Sequence, residues 1–220
     1  MKKIYSIILG NNQNNLFGSK NDAILIYNLF YSFYLKNDNW QEPNIYLDQN
    51  LKIEEIMKKI NSFKINSVEN NVSLIIYFSG HSDKNGKLQF YNKFYSNNEL
   101  LNILKLFNFK YIYIIIDSCF SKNFIIENIY KNETNYIIST SENQKSKEIL
   151  IDYKEDMFIH KNIDKRNNKM VIGIFTLYFY RILKNKNLSN LNMWEYVIVN
   201  NPLWKVIERI YNQKIYFIKK

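Results

Sequence analysis

A chain of 220 residues, 46% hydrophobic and 23% charged, is long enough to close one well-buried domain and too short for two ordinary ones. Five Gly and two Pro exclude a collagen-like or low-complexity protein, and a single Cys excludes an intrachain disulfide framework, which points to a reducing, cytoplasmic setting. The net charge of +10 comes from lysines spread without a dense cluster through a chain rich in Asn, Ile and Tyr, so no nucleic-acid partner is expected.

The first apolar run meets a polar Asn/Gln stretch after Gly10 with no small-x-small cleavage site, so residues 4–9 read as a strand, not a secretion signal. No apolar run approaches the ~18–20 residues that span a bilayer, and no membrane partner is expected. A helix is predicted over about 21–36, with Ile24, Leu25, Leu29 and Phe33 on one face, and a second strand over 45–47. Ile53, Ile56, Met57, Ile60 and Phe63 fall at helical spacing. Residues 72–78 form a strongly apolar strand that runs into Ser79-Gly80-His81-Ser82, with a hairpin signal at Asn85-Gly86. Ser96-x-x-Glu99 is a capping box ahead of Leu100, Leu101, Leu104 and Phe107. Residues 111–116 are nearly all apolar, as in a central parallel strand, and end at Asp117-Ser118-Cys119. A strand over 136–140 follows, then an unpatterned stretch over 148–169, helices near 173–183 and 191–199, a helical turn at Trp204 and a closing strand over 214–218. The alternation gives an α/β domain with a mainly parallel six-stranded sheet sandwiched between helices. It divides into a larger part over about 1–147, a linker over about 148–172 and a smaller part over about 173–220.

Sites in open α/β sheets form outside the carboxyl ends of the strands. Two such ends carry reactive side chains here, His81 and Cys119. If their strands are neighbours, an imidazole stands beside a thiol, and an imidazole can both favour the thiolate and later protonate a leaving amine. Each residue alone reads more simply as structural, but both sit just past strand ends among small polar residues, whereas His160 lies in the unpatterned stretch. A phosphatase-type loop needs an Arg where Ile125 stands, no second Cys supports a zinc or redox motif, and no G-x-S-x-G or phosphate-binding glycine loop occurs. Asp117 ends an apolar strand, where a carboxylate is costly without a partner, while Asp22 at a predicted helix start can serve as a cap.

The strings Tyr77-Phe78-Ser79-Gly80-His81 and Asp117-Ser118-Cys119-Phe120-Ser121 resemble the Y-[FY]-S-G-H-G and D-x-C-H-S-G motifs of metacaspases, which are caspase-like cysteine peptidases. The likeness extends to Gly18-Ser19-Lys20-Asn21-Asp22-Ala23, to Gln144-Lys145-Ser146, to Gly173-Ile174-Phe175-Thr176 and to Gln213-Lys214-Ile215, in the family's order. It implies that Cys119 is a nucleophile forming a thioester acyl-enzyme, that His81 is general base and acid, and that the amides of Ser82 and Cys119 form the oxyanion hole. It places Ser19, Asp22, Ser79 and Asp117 in the S1 pocket. Two carboxylates there repel each other until a guanidinium or ammonium pairs with both, which implies protein or peptide substrates cut after Arg or Lys. The resemblance also implies a monomer, and a cleavable linker at which Lys161, Lys165, Arg166 or Lys169 offers a basic self-processing point.

Three departures stand out. Ser82 replaces the family's Gly after the catalytic His and would be strained if that position were left-handed. Phe120-Ser121-Lys122 replaces H-S-G. Phe90, Tyr91, Phe94, Phe124 and Ile125 stand in the regions where calcium-dependent members carry carboxylates, so no cofactor or metal ligand is expected. An active endopeptidase and a catalytically silent caspase-like interaction module are the two leading readings.

Overall fold

The computed structural model describes residues 3–11, 18–47, 52–63, 72–91, 93–107, 109–125, 133–152, 169–184, 186 and 196–219. Strands β1 (Lys3–Gly10), β2 (Asn44–Tyr46), β3 (Val72–Ser79), β6 (Tyr111–Asp117), β7 (Glu133–Ile138) and β10 (Tyr216–Lys219) form one six-stranded sheet. Its order is β10-β7-β6-β3-β1-β2; all neighbours run parallel except β10, which returns antiparallel to β7. Two short antiparallel ribbons are added, β4 (Leu88–Phe90) with β5 (Lys93–Tyr95), and β8 (Glu148–Asp152) with β9 (Lys169–Gly173).

The sheet is buried on both faces because its central strands are apolar at most positions, without alternation. Ile4 and Ile8 of β1, with Ile75 and Tyr77 of β3, face one cluster. Tyr5, Ile7 and Leu9, with Leu74, Ile76 and Phe78, face the other. Helix α1 (Gly18–Tyr34) and helix α4 (Ile174–Leu183) cover the first face. Helix α2 (Ile53–Ser62) and helix α3 (Asn97–Leu104) contribute Ile56, Ile60, Leu100 and Leu104 to the second. Ser96 accepts from Glu99 N–H at 3.3 Å while Glu99 accepts from Ser96 N–H at 2.8 Å, so the α3 capping box forms.

The last helix is longer than the single turn predicted at Trp204. Helix α5 (Leu203–Tyr211) runs nine residues and stops at Asn212, whose φ of 50 is left-handed. Its exposed face carries Lys205, Glu208 and Arg209, so only Trp204 and Ile207 mark it as buried helix. Of the helix predicted over 191–199, residues 196–199 are helical and the remainder lies outside the described residues. The stretch read as a linker is strand at both ends, β8 and β9, whereas His160, Lys161, Lys165 and Arg166 lie outside the described residues. Periodicity missed this ribbon because its burial alternates between exposed and half-buried in β8.

Candidate active site

The parallel register of β3 and β6 pairs Ser79 with Asp117. His81 and Cys119 each lie two residues beyond that pair, so the two loops leave the sheet side by side at the same height. Gly80 N–H donates to Asp117 C=O at 3.3 Å and extends the pairing by one rung. Both His81 and Cys119 are half-buried.

The loop after β3 is held by its own turn. Ser82 bridges Leu88 in extended conformation, His81 C=O accepts from Gln89 N–H at 3.0 Å, and Asp83 N–H donates to Lys87 C=O at 3.0 Å. Asp83 Oδ1 also accepts from the amides of Asn85 and Lys87, and Gly86 takes the one positive φ of this turn, +76. Ser82 is therefore not left-handed. The strain falls on Phe120, directly after the thiol, with φ 52, which for a non-Gly residue costs about 1–2 kcal/mol.

That strained turn is bound on several sides. Thr140 Oγ1 donates to Ser118 C=O at 2.9 Å and accepts from Ser121 N–H at 2.8 Å, and Ser139 Oγ accepts from Ser118 N–H at 3.2 Å. Phe120 N–H donates to Gln144 C=O at 2.8 Å. The hydroxyl of Ser82 donates to Cys119 C=O and so ties the two loops to each other.

Beside Cys119 opens a cleft of about 170 Å³ whose walls include Asp22, Ser79, Asp117, Ser146, Glu148 and Gly173. Asp22 is not a cap of α1; it lies one turn inside that helix and is 2% exposed. Its Oδ1 accepts from Gly173 N–H at 2.8 Å and its Oδ2 from Ser79 Oγ at 2.7 Å. Asp117 Oδ1 accepts from Ser146 Oγ at 2.6 Å; its Oδ2 accepts from Thr176 Oγ1 at 2.7 Å and from Thr176 N–H at 3.3 Å. Gly173 and Thr176 open α4, so both carboxylates sit at the positive end of that helix. Tyr77 O–H completes the chain by donating to Thr176 Oγ1.

Gly173 makes room for this arrangement. A Cβ there would lie 2.4 Å from Asp117 Oδ2 and 2.9 Å from Asp22 Oδ2, so the two oxygens confront each other across a methyl-sized gap. Burial raises the pKa of Asp22 well above the ordinary carboxylate value, and the charge of Asp117 raises it further. Burial likewise raises Asp117, against the hydrogen bonds from Ser146 and Thr176. Glu148, at the head of β8, supplies a third acid: the residue as a whole is exposed, but its carboxylate turns inward to accept from Gly18 N–H at 3.1 Å. Partial burial and nearby Asp117 raise its pKa as well. Among the described residues no ammonium or guanidinium forms a salt bridge with any of the three.

Burial pushes the Cys119 thiol up from its ordinary value. The Ser146 N–H and Lys145 act against that shift, while Asp117 and Glu148 add to it. Ser19 is fully buried in the first turn of α1, its hydroxyl without a partner among the described residues, and it is not among the walls of the cleft. Sequence reasoning left Glu148 out because it opens a stretch with no pattern. Its only trace in the sequence is a carboxylate heading the short apolar run Ile149-Leu150-Ile151. A second hollow, of about 200 Å³, lies between β7, β10 and residues 196–199, with mostly apolar walls such as Ile198 and Phe217.

With this geometry in view, comparison with known proteins is decisive at the level of family. A family model described as "Caspase domain" matches residues 4–194. The chain belongs to the caspase-domain family. It thus carries a caspase-like peptidase domain. A solved structure, caspase-1 from Spodoptera frugiperda, has the same fold at 12% identity with a TM-score of 0.51, covering 100% of this chain and 85% of that one. Raptor from Chaetomium thermophilum matches at 8% identity and a TM-score of 0.41, over 66% of this chain and 16% of that one. No curated protein sequence matches.

Phe90, Tyr91, Phe94, Phe124 and Ile125 offer no side-chain carboxylate, and among the described residues no group of three or more His, Cys, Asp or Glu is placed to hold a metal ion. No helix among the described residues is long and apolar enough to cross a membrane.

Proposed function

We propose that this caspase-domain chain is a cysteine endopeptidase of the metacaspase type, cleaving protein or peptide substrates after Arg or Lys. One observation carries the reading: three carboxylates, Asp22, Asp117 and Glu148, line a single cleft beside Cys119, with no basic side chain among the described residues forming a salt bridge to them. A cationic P1 side chain seated there satisfies charges that the empty cleft leaves opposed. An aspartate side chain would add a fourth carboxylate to a cleft that already holds three.

In this reading the substrate's P1 residue enters the cleft and brings its carbonyl carbon to Cys119 Sγ. His81 takes the thiol proton as sulfur attacks, and the amides of Ser82 and Cys119 bind the oxygen that becomes negative. The ribbon supports that role for Ser82, because its bonds run through His81 C=O and Asp83 N–H and leave the Ser82 amide out of the pairing. Collapse of the tetrahedral adduct breaks the peptide C–N bond, His81 protonates the departing amine, and a thioester remains on Cys119. Water, deprotonated by His81, then releases the acid product and the thiol. Work as a monomer in a reducing, cytoplasmic compartment is part of the same proposal.

A second reading, a catalytically silent interaction module, is favoured by the strained Phe120 beside the thiol in a loop that departs from the family's motif, and burial pushes the Cys119 thiol up in the same sense. Turnover of Arg, Lys and Asp fluorogenic peptides, with Cys119→Ala as control, separates the two. Release from Arg or Lys peptides that Cys119→Ala abolishes supports the peptidase; absence of turnover with all three, with and without calcium, leaves the silent module.

A further inference from the structure

We infer that the side chain of Ser82 is a positioning residue, whose hydroxyl locks the Cys119–Phe120 turn to the histidine loop and so sets the spacing of the oxyanion donors before substrate binds. The inference rests on the reading of Cys119 as nucleophile. Its basis is the bond from Ser82 Oγ to Cys119 C=O, which crosses between the loops that follow β3 and β6. Ser118 Oγ reaches the same carbonyl at 3.4 Å, a weaker, local contact from within the turn itself. The other face of the same peptide unit is held by Phe120 N–H on Gln144 C=O at 2.8 Å.

This peptide unit needs holding. Phe120 has a left-handed φ of 52, a conformation from which a bulky side chain relaxes unless its neighbours over-determine it. Relaxation would rotate the Cys119–Phe120 peptide and move both Cys119 Sγ and the Cys119 amide. A glycine at position 82 has no atom with which to resist that motion. The hydroxyl of Ser82 does, and it extends from the residue whose own amide is the other proposed oxyanion donor. The two donors are therefore joined through a single hydrogen bond, which is pre-organisation of the kind that a transition-state site requires. Extended backbone at Ser82, bridged to Leu88, lets the side chain take this role without strain of its own.

Ser82→Ala and Ser82→Thr, each in the full chain, test the inference. Removing an oxyanion donor outright costs on the order of 10²–10³ in kcat, so loosening one is expected to cost less. Ser82→Ala should lower kcat on an Arg peptide about tenfold to thirtyfold, leave KM within about twofold, and keep a cooperative thermal transition. Ser82→Thr, which retains the hydroxyl, should recover kcat to within about threefold of the parent. A second readout needs no turnover: the rate at which iodoacetamide alkylates Cys119. Cys119 is half-buried in this turn, so Ser82→Ala should speed alkylation severalfold and Ser82→Thr should reverse that gain. If the parent protein cleaves no peptide, the proposed function fails, and alkylation alone still decides the role of Ser82. Kinetics and alkylation unchanged in Ser82→Ala, or Ser82→Thr as impaired as Ser82→Ala, would overturn the inference.

Discussion

Replacing Gly173 by alanine tests the carboxylate cleft most directly. The residue has φ −64 and ψ 134, which any amino acid adopts, so the backbone itself does not object. In the unfolded chain the change removes freedom and by itself would stabilise the fold by ~0.4–1 kcal/mol. The added methyl, however, would lie 2.4 Å from Asp117 Oδ2, a distance at which one of the two must move. The helix backbone at α4 is fixed by its own hydrogen bonds, so the carboxylate yields. Moving Oδ2 away sacrifices its bonds to Thr176 Oγ1 and Thr176 N–H, each worth ~1.5–3 kcal/mol when the acceptor is charged. Subtracting the entropic gain leaves a destabilisation of about 2–6 kcal/mol.

The effect on substrate is separate. With the methyl between Asp22 and Asp117, a basic side chain keeps one good carboxylate partner instead of two. Loss of one charge-assisted contact lowers kcat/KM on an Arg peptide by about tenfold to a hundredfold. Urea denaturation and steady-state kinetics on purified Gly173→Ala measure the two quantities independently. An unchanged urea midpoint together with unchanged kcat/KM would refute the placement of both acids around this glycine.

Two further substitutions probe the charges. A carboxyl with a folded pKa above its unfolded value binds more protons folded than unfolded. The contribution of Asp22 and Asp117 to stability therefore falls as pH rises from the ordinary value of 3.8 through their raised folded values. Asp22→Asn removes one of the opposed charges, so its urea midpoint relative to the parent should rise across that window and lose its advantage below it, while KM for an Arg peptide rises at least about tenfold. A midpoint difference that does not change with pH would count against the buried like-charge pair. Glu148→Gln removes one of the groups that raise the Cys119 thiol. The pH midpoint of iodoacetamide alkylation should move down as KM for Arg peptides goes up; movement of the midpoint upward would contradict the electrostatic account.

Much of the architecture is legible in local pattern. Runs such as Leu74–Phe78 and Ile112–Ile116 are apolar without alternation because both faces of a central parallel strand are covered, and their polar ends mark where loops leave the sheet. Ser96 and Glu99 announce a helix start because the bonds they exchange span only three residues. The β8–β9 ribbon escaped notice because it is half exposed, so its composition resembles a loop, and the two strands pair across a gap in sequence that no local period records.

At the site the same division holds. Placement of His81 and Cys119 just past two strand ends followed from sequence, since a reactive residue among small polar neighbours after an apolar run has few other locations. The sequence also marked Asp117 as a carboxylate needing a partner, whereas Asp22 read as a helix cap that only the family resemblance set in the same pocket. Only tertiary structure decided what the partners of both are: Gly173 and Thr176 at the head of α4, Ser146 from the loop before β8, and Glu148 as a third acid, contributed by segments up to 151 residues apart in the chain. It also moved the expected strain from Ser82 to Phe120 and gave the Ser82 hydroxyl a bond across the site. The physical reason is that strand and helix signals arise from neighbours within a turn or two, whereas a cleft is made by the packing of elements whose contacts leave no periodic trace in either segment alone.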